Sequence, residues 1–248
     1  MSRRGKEPRV LVVDDEVDIC ANMADILSDL GFRVDTASDS QTALELVRRE
    51  PYEVALLDLK MPGMDGLELY RRIRRERAGI IVILVTAHAN TPRAEEALAS
   101  GAWKVVAKPV NLPRLVEMLD EAIGQPLVLI VDDDQELCSN LWDVLRERDF
   151  RVVVAHDEKS ALRLFRENRF QLALLDLRLG SGNSLNFFRQ VQAISEQTRT
   201  ILITGHRKET ERLVEQFLDE GAHGVCYKPF DVPRLLELIR AQLESEPR

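Results

Sequence analysis

The sequence predicts two tandem α/β domains, each a doubly wound, five-stranded parallel sheet with five helices. The first observation is an internal repeat, because Val10-Leu-Val-Val-Asp-Asp-Glu returns 118 residues later as Val128-Leu-Ile-Val-Asp-Asp-Asp. The second is that short apolar runs alternate with amphipathic stretches within each half, which is typical of βαβ units. The third is size: a repeat of this length is that of a whole domain, and 248 residues hold two.

The repeat continues along the chain with one change of spacing. Its later members are three pairs of polar residues: Asp58 and Asp176, Thr86 and Thr204, and Lys108 and Lys228. The first two pairs keep the spacing of 118 residues, whereas the lysines are 120 residues apart. Two residues are therefore inserted between Thr204 and Lys228 in the second copy.

The boundary between the copies follows from a helical pattern that ends in Gly124 and Pro126. We expect a tail at residues 1–8, a first domain at 9–124, a short linker at 125–127 and a second domain at 128–248. The linker is so short that the last helix of the first domain leads almost directly into the second.

Five short runs predict the strands of the first half, and several of them are nearly all apolar. The runs are Val10–Val13, Arg33–Thr36, Val54–Leu57, Ile80–Val85 and Val105–Ala107. Such runs are typical of parallel strands that are covered on both faces.

Apolar residues spaced three or four apart predict a helix after each strand. The first spans Ile19 to Leu30, and Gly31 is placed to end it. The second helix is Thr42–Glu50, which Pro51 ends, and the third is Leu67–Arg77. The fourth is Pro92–Ser100, which Gly101 ends, and Asn111 caps the fifth. The second half repeats this order, and right-handed crossovers put helices on both faces.

Composition excludes several classes of protein. The 34 Lys and Arg residues against 42 Asp and Glu give a net charge of -8, which argues against direct nucleic-acid binding. The apolar runs are far shorter than the roughly 20 residues that span a bilayer, and the N-terminal run is too short for a signal peptide. Three cysteines exclude a disulfide framework and suit a reducing compartment. We therefore expect a cytoplasmic protein without a membrane partner.

Polar residues follow the predicted strands, at the end of the sheet where ligands bind in open α/β proteins. They are Asp14, Asp15, Asp58, Thr86 and Lys108 in the first half, and Asp132, Asp133, Asp176, Thr204 and Lys228 in the second. A lone aspartate after a strand is more often a helix cap or a turn residue. The functional interpretation depends on the ordered set, which occurs twice.

The chemistry of this set indicates phosphoryl transfer. Three crowded carboxylates raise one another's pKa, and a hard divalent cation with oxygen ligands, Mg²⁺ above all, relieves their repulsion. A lysine ammonium attracts an anion, and a threonine hydroxyl donates to one of its oxygens. An anion, Mg²⁺ and a free carboxylate together favour transfer of a phosphoryl group onto the carboxylate.

These motifs resemble two tandem receiver domains of bacterial two-component response regulators, over about residues 9–124 and 127–245. The resemblance is carried by Val-Val-Asp14-Asp15-Glu, Leu-Asp58-Leu-Lys-Met-Pro62-Gly-Met-Asp65-Gly66, Val-Thr86-Ala, Gly101-Ala and Lys108-Pro109. It implies a flavodoxin-like fold with strand order 2-1-3-4-5.

The resemblance also implies a role for each residue. Asp58 and Asp176 would be phosphoacceptors that take the phosphoryl group from a phosphohistidine on a sensor histidine kinase or a histidine phosphotransfer protein. One Mg²⁺ per domain would be held by these residues: Asp15 and Asp133 directly, Asp14 and Asp132 partly through water, the phosphoacceptors Asp58 and Asp176, and the backbone carbonyls of Lys60 and Arg178. Thr86 and Thr204 would contact the phosphoryl group, Lys108 and Lys228 would pair with it, and Pro109 and Pro229 resemble the family's cis-proline turn.

The sequence departs from the family pattern at the usual aromatic switch position, which holds Val105 and Val225. The usual coupling of an aromatic side chain to the threonine is therefore in doubt. Trp103 and Tyr227 lie two positions from these valines, on the same predicted face of the same strands. Either they substitute for the aromatic switch residue, or they only pack in the core.

The second copy also departs from the pattern in the loop after Asp176, where Gly180-Ser-Gly-Asn183-Ser184 replaces Pro62-Gly-Met-Asp65-Gly66. Without the proline and with two glycines, this loop should be the more mobile one. We expect the second copy to be phosphorylated less efficiently, or by another donor.

Two other repeated residue types have plainer interpretations. His88 and His206 lie two positions after the threonines, where the resemblance implies an influence on how fast the phosphoryl group is lost; exposed loop histidines are the alternative. Cys20 and Cys138 are expected to be small buried residues on the first helix of each half.

The expected function is a phospho-signalling module rather than an enzyme, with output through protein binding on the face formed by helix four, strand five and helix five. This face would bind a downstream protein target or form a phosphorylation-dependent dimer. The alternative is the N-terminal part of a longer regulator with a cyclase, kinase or DNA-binding effector. A doubly wound phosphohydrolase is disfavoured, because it would need Asp-x-Asp on the first strand, where the chain has Asp14-Asp15.

Overall fold

The chain folds into two compact units that meet between Gln125 and Pro126. The computed structural model describes residues 7–77, 79–179, 184–205, 207–229 and 231–244, with the backbone alone at 207–209. Within this part of the chain, no helix is both long enough and apolar enough to cross a bilayer.

The first unit is a five-stranded parallel sheet in which strands and helices alternate. Its strands are β1 (Arg9–Val13), β2 (Arg33–Ala37), β3 (Val54–Asp58), β4 (Ile81–Thr86) and β5 (Lys104–Ala107), in the order β2-β1-β3-β4-β5. Its helices are α1 (Val17–Asp29), α2 (Ser40–Arg49), α3 (Gly66–Glu76), α4 (Pro92–Ala99) and α5 (Leu112–Gly124).

The second unit repeats the architecture of the first. Its strands are β6 (Leu127–Val131), β7 (Arg151–Ala155), β8 (Leu172–Asp176), β9 (Arg199–Thr204) and β10 (Gly224–Tyr227), in the order β7-β6-β8-β9-β10. Its helices are α6 (Gln135–Arg146), α7 (Glu158–Glu167), α8 (Ser184–Ile194), α9 (Arg207–Asp219) and α10 (Val232–Glu244). Both sheets have the predicted 2-1-3-4-5 order, so the predicted fold class is confirmed.

Each sheet has a separate apolar core on each of its faces. In the first unit, Leu11 and Leu57 pack with α2, α3 and α4, whereas Val10 and Leu56 pack with α1 and α5. This division follows from the strand, in which successive side chains point to opposite faces of the sheet. The central strands β1 and β3 are thereby buried from both sides as far as their C-terminal ends.

The aromatic residue before β5 does not lie where its sequence parity predicts. Val105 packs against the core beside α2 and α3, whereas Trp103 packs against the opposite core with Val106. The strand begins only at Lys104, so the alternation of faces does not extend back to Trp103. The expectation that Trp103 shares the face of Val105 is therefore wrong, and Trp103 cannot take the place of the aromatic switch.

The two inserted residues of the second unit lie in a region where the units differ in helix length. Helix α9 has 13 residues and begins three positions after Thr204, whereas α4 has 8 and begins six positions after Thr86. A longer helix therefore replaces most of the loop after β9, and its first turn comes close to the end of that strand.

Candidate functional site

In the first unit, three acidic side chains meet at the C-terminal ends of two neighbouring strands. Asp14 and Asp15 follow β1, and Asp58 ends β3, which is hydrogen-bonded to β1 at the centre of the sheet. Carboxylate oxygens of the three residues lie within 4.8 Å of one another. Asp14 and Asp58 are buried, while Asp15 is exposed, so the cluster is open to solvent on one side.

Lys108 joins two of these carboxylates from the end of β5. Its Nζ is 2.7 Å from Asp14 Oδ2 and 3.0 Å from Asp58 Oδ2. The Lys108–Pro109 peptide bond is cis, and the Lys108 amide donates to the Thr86 carbonyl over 2.7 Å. The predicted acidic set, the lysine and the threonine thus come together, with the predicted cis-proline turn beside them.

The other carboxylate oxygens of Asp14 and Asp58 accept from backbone amides. The Glu16 amide donates to Asp14 Oδ1 and the Lys60 amide to Asp58 Oδ1, each over 3.1 Å. The Lys60 backbone thus lies against the Asp58 carboxylate. Cys20 is buried behind the cluster, and its thiol donates to the Asp14 carbonyl over 3.3 Å.

The charge of Lys108 is stabilised by its two partners. Burial alone would lower the pKa of this ammonium, but hydrogen bonds and charge attraction from Asp14 and Asp58 outweigh that effect and raise it. Lys108 therefore remains protonated and offsets part of the negative charge of the cluster.

The second unit has the same arrangement with one difference in distance. Oxygens of Asp132, Asp133 and Asp176 again lie within 4.8 Å of one another. Lys228, which follows β10 and precedes a cis-proline, has its Nζ 2.6 Å from Asp132 Oδ2 but 3.6 Å from Asp176 Oδ1. The lysine therefore hydrogen-bonds Asp132 in this unit and forms a longer ion pair with Asp176.

Asp176 has a raised pKa, and burial is its largest cause. Burial raises the pKa of this carboxyl, and the neighbouring charge of Asp132 adds to the rise. The charge of Lys228 and a hydrogen bond from the Arg178 backbone act in the opposite direction without cancelling it. The surroundings of Asp176 thus disfavour the charged form of this carboxyl.

The two threonines occupy equivalent positions but have different hydrogen bonds. Thr86 Oγ1 accepts from the His88 amide over 3.3 Å, whereas Thr204 Oγ1 donates to Thr210 Oγ1 over 3.3 Å. Both threonine backbones are fixed in the same way, because the carbonyl of each accepts from the amide of the following lysine over 2.7 Å. The units therefore differ in the environment of the hydroxyl and not in the position of the strand.

The donor set of both clusters fits a hard divalent cation. All the side-chain ligands are carboxylate oxygens, which Mg²⁺ prefers, and the exposed aspartates leave room for the water molecules that this ion retains. Bonds of about 2.1 Å in an octahedron put ligands roughly 3–4 Å apart. Small rotations of the carboxyl groups would bring oxygens within 4.8 Å to that separation.

Gly66, the first residue of α3, lies against the backbone of Asp58. A Cβ at this position would be 2.1 Å from the Asp58 carbonyl oxygen and 2.9 Å from its carbonyl carbon. The glycine thus permits a close approach of helix to strand behind the carboxylate. The second unit has Ser184 at the equivalent position, so α8 cannot approach Asp176 as closely.

The substitution Gly66→Ala is expected to lower the free energy of unfolding of the first unit by about 3 kcal/mol, because the new methyl group meets backbone atoms that cannot rotate away. Urea denaturation, followed by Trp103 fluorescence in a Trp142→Phe background, measures this change. Gly124→Ala is the matched control, since a Cβ there meets nothing within 4 Å. An equal transition midpoint for the two alanine variants would contradict the expected clash.

Other sequence predictions have separate outcomes. His88 is exposed, which fits both sequence-based interpretations of this residue. Cys20 and Cys138 are buried, as the sequence indicates. His206 and the loop residues 180–183 lie outside the described residues. The sequence analysis missed Thr210, because nothing in a linear pattern indicates that a residue six positions after Thr204 reaches its hydroxyl.

Both units are similar to known proteins of one family. The family model of the response regulator receiver domain matches the chain twice, at residues 10–120 and 128–240. A response regulator receiver protein of Anaeromyxobacter sp. is 34% identical over 231 residues, which cover 93% of each chain.

Two solved structures are each similar to about half of the chain. A CheY-like response regulator receiver domain of Methanospirillum hungatei JF-1 has 32% identity and a TM-score of 0.46, over 48% of this chain and 94% of that one. The receiver domain of a sensor histidine kinase from Pseudomonas aeruginosa PAO1, solved with magnesium coordinated in its active-site cleft, has 29% identity and a TM-score of 0.45. That match covers 48% of this chain and 100% of the other.

Proposed function

The chain belongs to the response regulator receiver family, and from this membership we propose that each unit accepts a phosphoryl group on one aspartate, Asp58 in the first and Asp176 in the second. The observation that carries the proposal is the contact of one lysine with two carboxylates at the ends of the central strands. An ammonium in this position neutralises part of the charge that a bound phosphoryl group brings.

In the first unit, each carboxylate oxygen of the phosphoacceptor accepts a hydrogen bond from a different donor. Asp58 Oδ1 accepts from the Lys60 amide, and Oδ2 accepts from Lys108. In the transfer, a carboxylate oxygen forms a bond to phosphorus as the bond from phosphorus to the donor's histidine nitrogen breaks, and the electron pair stays on that nitrogen. Lys108 then exchanges its contact with the Asp58 oxygen for one with the phosphoryl group.

Three aspartates of each unit would hold a magnesium ion: Asp14, Asp15 and Asp58 in the first, and Asp132, Asp133 and Asp176 in the second. The backbone carbonyls of Lys60 and Arg178 would complete the ligand sets. When bound, Mg²⁺ supplies charge neutralisation for the incoming anion.

The threonine hydroxyls change their hydrogen bonds when the phosphoryl group is present. Thr86 and Thr204 end the strands next to the phosphoacceptor strands, and each hydroxyl has a single hydrogen to donate. Donation of this hydrogen to a phosphoryl oxygen changes the rotamer of the threonine and the contacts at the start of the next helix. The two states differ by these contacts, and phosphorylation shifts the population between them.

Transfer to Asp176 is slower than transfer to Asp58. Lys228 is 3.6 Å from Asp176, against 3.0 Å between Lys108 and Asp58, and the Thr204 hydroxyl already has an acceptor. Both features must change before a phosphoryl group is held in the second unit, whereas the first unit has its lysine in place.

The partners follow from this chemistry. A sensor histidine kinase or a histidine phosphotransfer protein supplies the phosphoryl group, and a downstream protein or a second copy of the chain binds the face that responds. The chain catalyses only the gain and loss of its own phosphoryl group. Its free, buried cysteines suit the reducing cytoplasm.

The proposal is tested by incubating the full chain with Mg²⁺ and a small phosphodonor such as acetyl phosphate, and measuring intact mass. Up to two phosphoryl groups per chain are expected, and both should be released by hydroxylamine, which cleaves acyl phosphates. Chelation of Mg²⁺ by EDTA should prevent uptake. Absence of hydroxylamine-sensitive phosphate with this donor and with purified histidine kinases would overturn the proposal.

A further inference from the structure

The first turn of α9 covers the threonine at the end of β9. Thr204 Oγ1 donates to Thr210 Oγ1 over 3.3 Å, and both residues are buried, with 0% and 5% of their surface exposed. At this depth no water replaces the acceptor, so the hydroxyl hydrogen of Thr204 is committed to Thr210.

The first unit offers no equivalent acceptor among the described residues. Thr86 Oγ1 accepts a hydrogen bond from the His88 amide, which leaves its own hydrogen available. The threonine nearest to it in sequence, Thr91, instead caps α4 by accepting from the Ala94 amide. The contact on Thr204 is therefore a property of the second unit, and it arises because the longer α9 starts closer to its strand.

We propose that Thr210 is a positioning residue of the second receiver domain, which holds the Thr204 hydroxyl away from Asp176 until a phosphoryl group displaces it. This inference rests on the function proposed for Asp176. A hydroxyl has one hydrogen, so Thr204 cannot donate to Thr210 and to a phosphoryl oxygen at the same time. Phosphorylation of Asp176 therefore requires the bond between helix and strand to open.

The geometry also sets the size of the effect. A distance of 3.3 Å is long for a bond between two hydroxyl groups, so the contact is weak and can be broken. A single net hydrogen bond of ordinary strength shifts an equilibrium by about threefold to tenfold. Thr210 thus biases the second unit toward its unphosphorylated state without blocking phosphorylation.

The test uses the full chain with Asp58→Ala, so that only Asp176 binds beryllofluoride, an analogue of the phosphoryl group. Thr210→Val keeps the shape of the side chain but removes the acceptor oxygen, and it is expected to raise the affinity for beryllofluoride in the presence of Mg²⁺ by about threefold to tenfold. Fluorine NMR titration measures this affinity. Thr210→Ser, which keeps the hydroxyl, should match the parent, and Thr210→Ala provides the same loss of oxygen in a smaller side chain.

A double-mutant cycle separates the proposed role from a general loosening of α9. In a Thr204→Val background, where there is no hydroxyl to hold, Thr210→Val should leave the affinity unchanged. Equal affinities of Thr210→Val and its parent, or a gain that persists without the Thr204 hydroxyl, would overturn the inference alone. If Asp176 binds no beryllofluoride in any variant while Asp58 binds it in an Asp176→Ala chain, the proposed function of the second unit fails and the inference falls with it.

Discussion

The variant Asp58→Ala is expected to take up a phosphoryl group on Asp176 alone, and Asp176→Ala is expected to take one up on Asp58 alone. Each substitution removes the oxygen that would bond to phosphorus but leaves the other sheet untouched, because the two units have separate cores. The double variant should take up none. A phosphotransfer profile against the histidine kinases of the host, run with each single variant, measures which kinase serves which unit.

The same experiment compares the rates of the two sites. We expect Asp176 to react about tenfold more slowly than Asp58 with a given donor, a difference of about 1.4 kcal/mol in activation free energy. The physical reasons are the separation of 3.6 Å between Lys228 and Asp176 and the engaged hydroxyl of Thr204. Asp25→Ala, on the exposed face of α1, is the control for the loss of a carboxylate. Equal rates at both sites would contradict this asymmetry, and uptake that persists in the double variant would contradict both assignments.

The substitution Lys108→Met is expected to weaken beryllofluoride binding at Asp58 by about 30-fold to 150-fold. Truncating one partner of a buried, hydrogen-bonded charge pair costs about 2–5 kcal/mol, and the partial exposure of Lys108 favours the lower end of that range. The affinity is measured by fluorine NMR in an Asp176→Ala background. Lys104→Met is the matched control, because this lysine pairs with Glu121 on the surface and not with the acidic cluster.

Lys228→Met should change how the stability of the second unit depends on pH in a buffer without Mg²⁺. Burial and the charge of Asp132 raise the pKa of Asp176 while the charge of Lys228 lowers it, so loss of this ammonium raises the pKa further above its value in the unfolded chain. A carboxyl whose pKa is raised on folding binds more protons in the folded state, so stability falls as pH rises from the ordinary aspartate range toward the raised pKa. Urea denaturation between pH 4 and 7 measures this change. A free energy of unfolding that rises over that interval more than in the parent would contradict the account.

Much of the fold could be predicted from the sequence because it depends on local patterns. Apolar runs such as Val54–Leu57 and helix-ending residues such as Gly31 recur in one order, and each acts through its immediate neighbours. The site residues could be predicted for a related reason. The C-terminal ends of neighbouring parallel strands meet at one edge of the sheet, so residues such as Asp14 and Asp58 must lie close together once the strand order is known.

Details that depend on a change in the direction of the backbone could not be predicted from local sequence patterns. Trp103 has the sequence parity of Val105, but the strand starts only after it, so the two side chains lie on opposite faces. The close approach of Gly66 to Asp58 likewise depends on the path of the whole connection between β3 and α3. Such features depend on the backbone path over several residues together. The type of any one residue does not predict that path.

The sequence by itself determined that this chain has two similar domains and that ten polar residues follow their strands, and the resemblance to receiver domains implied the order of those strands. Only the tertiary structure decided how each set is connected: Lys108 hydrogen-bonds two carboxylates, Lys228 hydrogen-bonds one and pairs with the other over a longer distance, and Thr204 hydrogen-bonds Thr210. The physical reason is that hydrogen bonding changes over a few tenths of an ångström. Differences of that size come from helix length and packing around the site, and equal motifs in two halves of one chain do not reveal them.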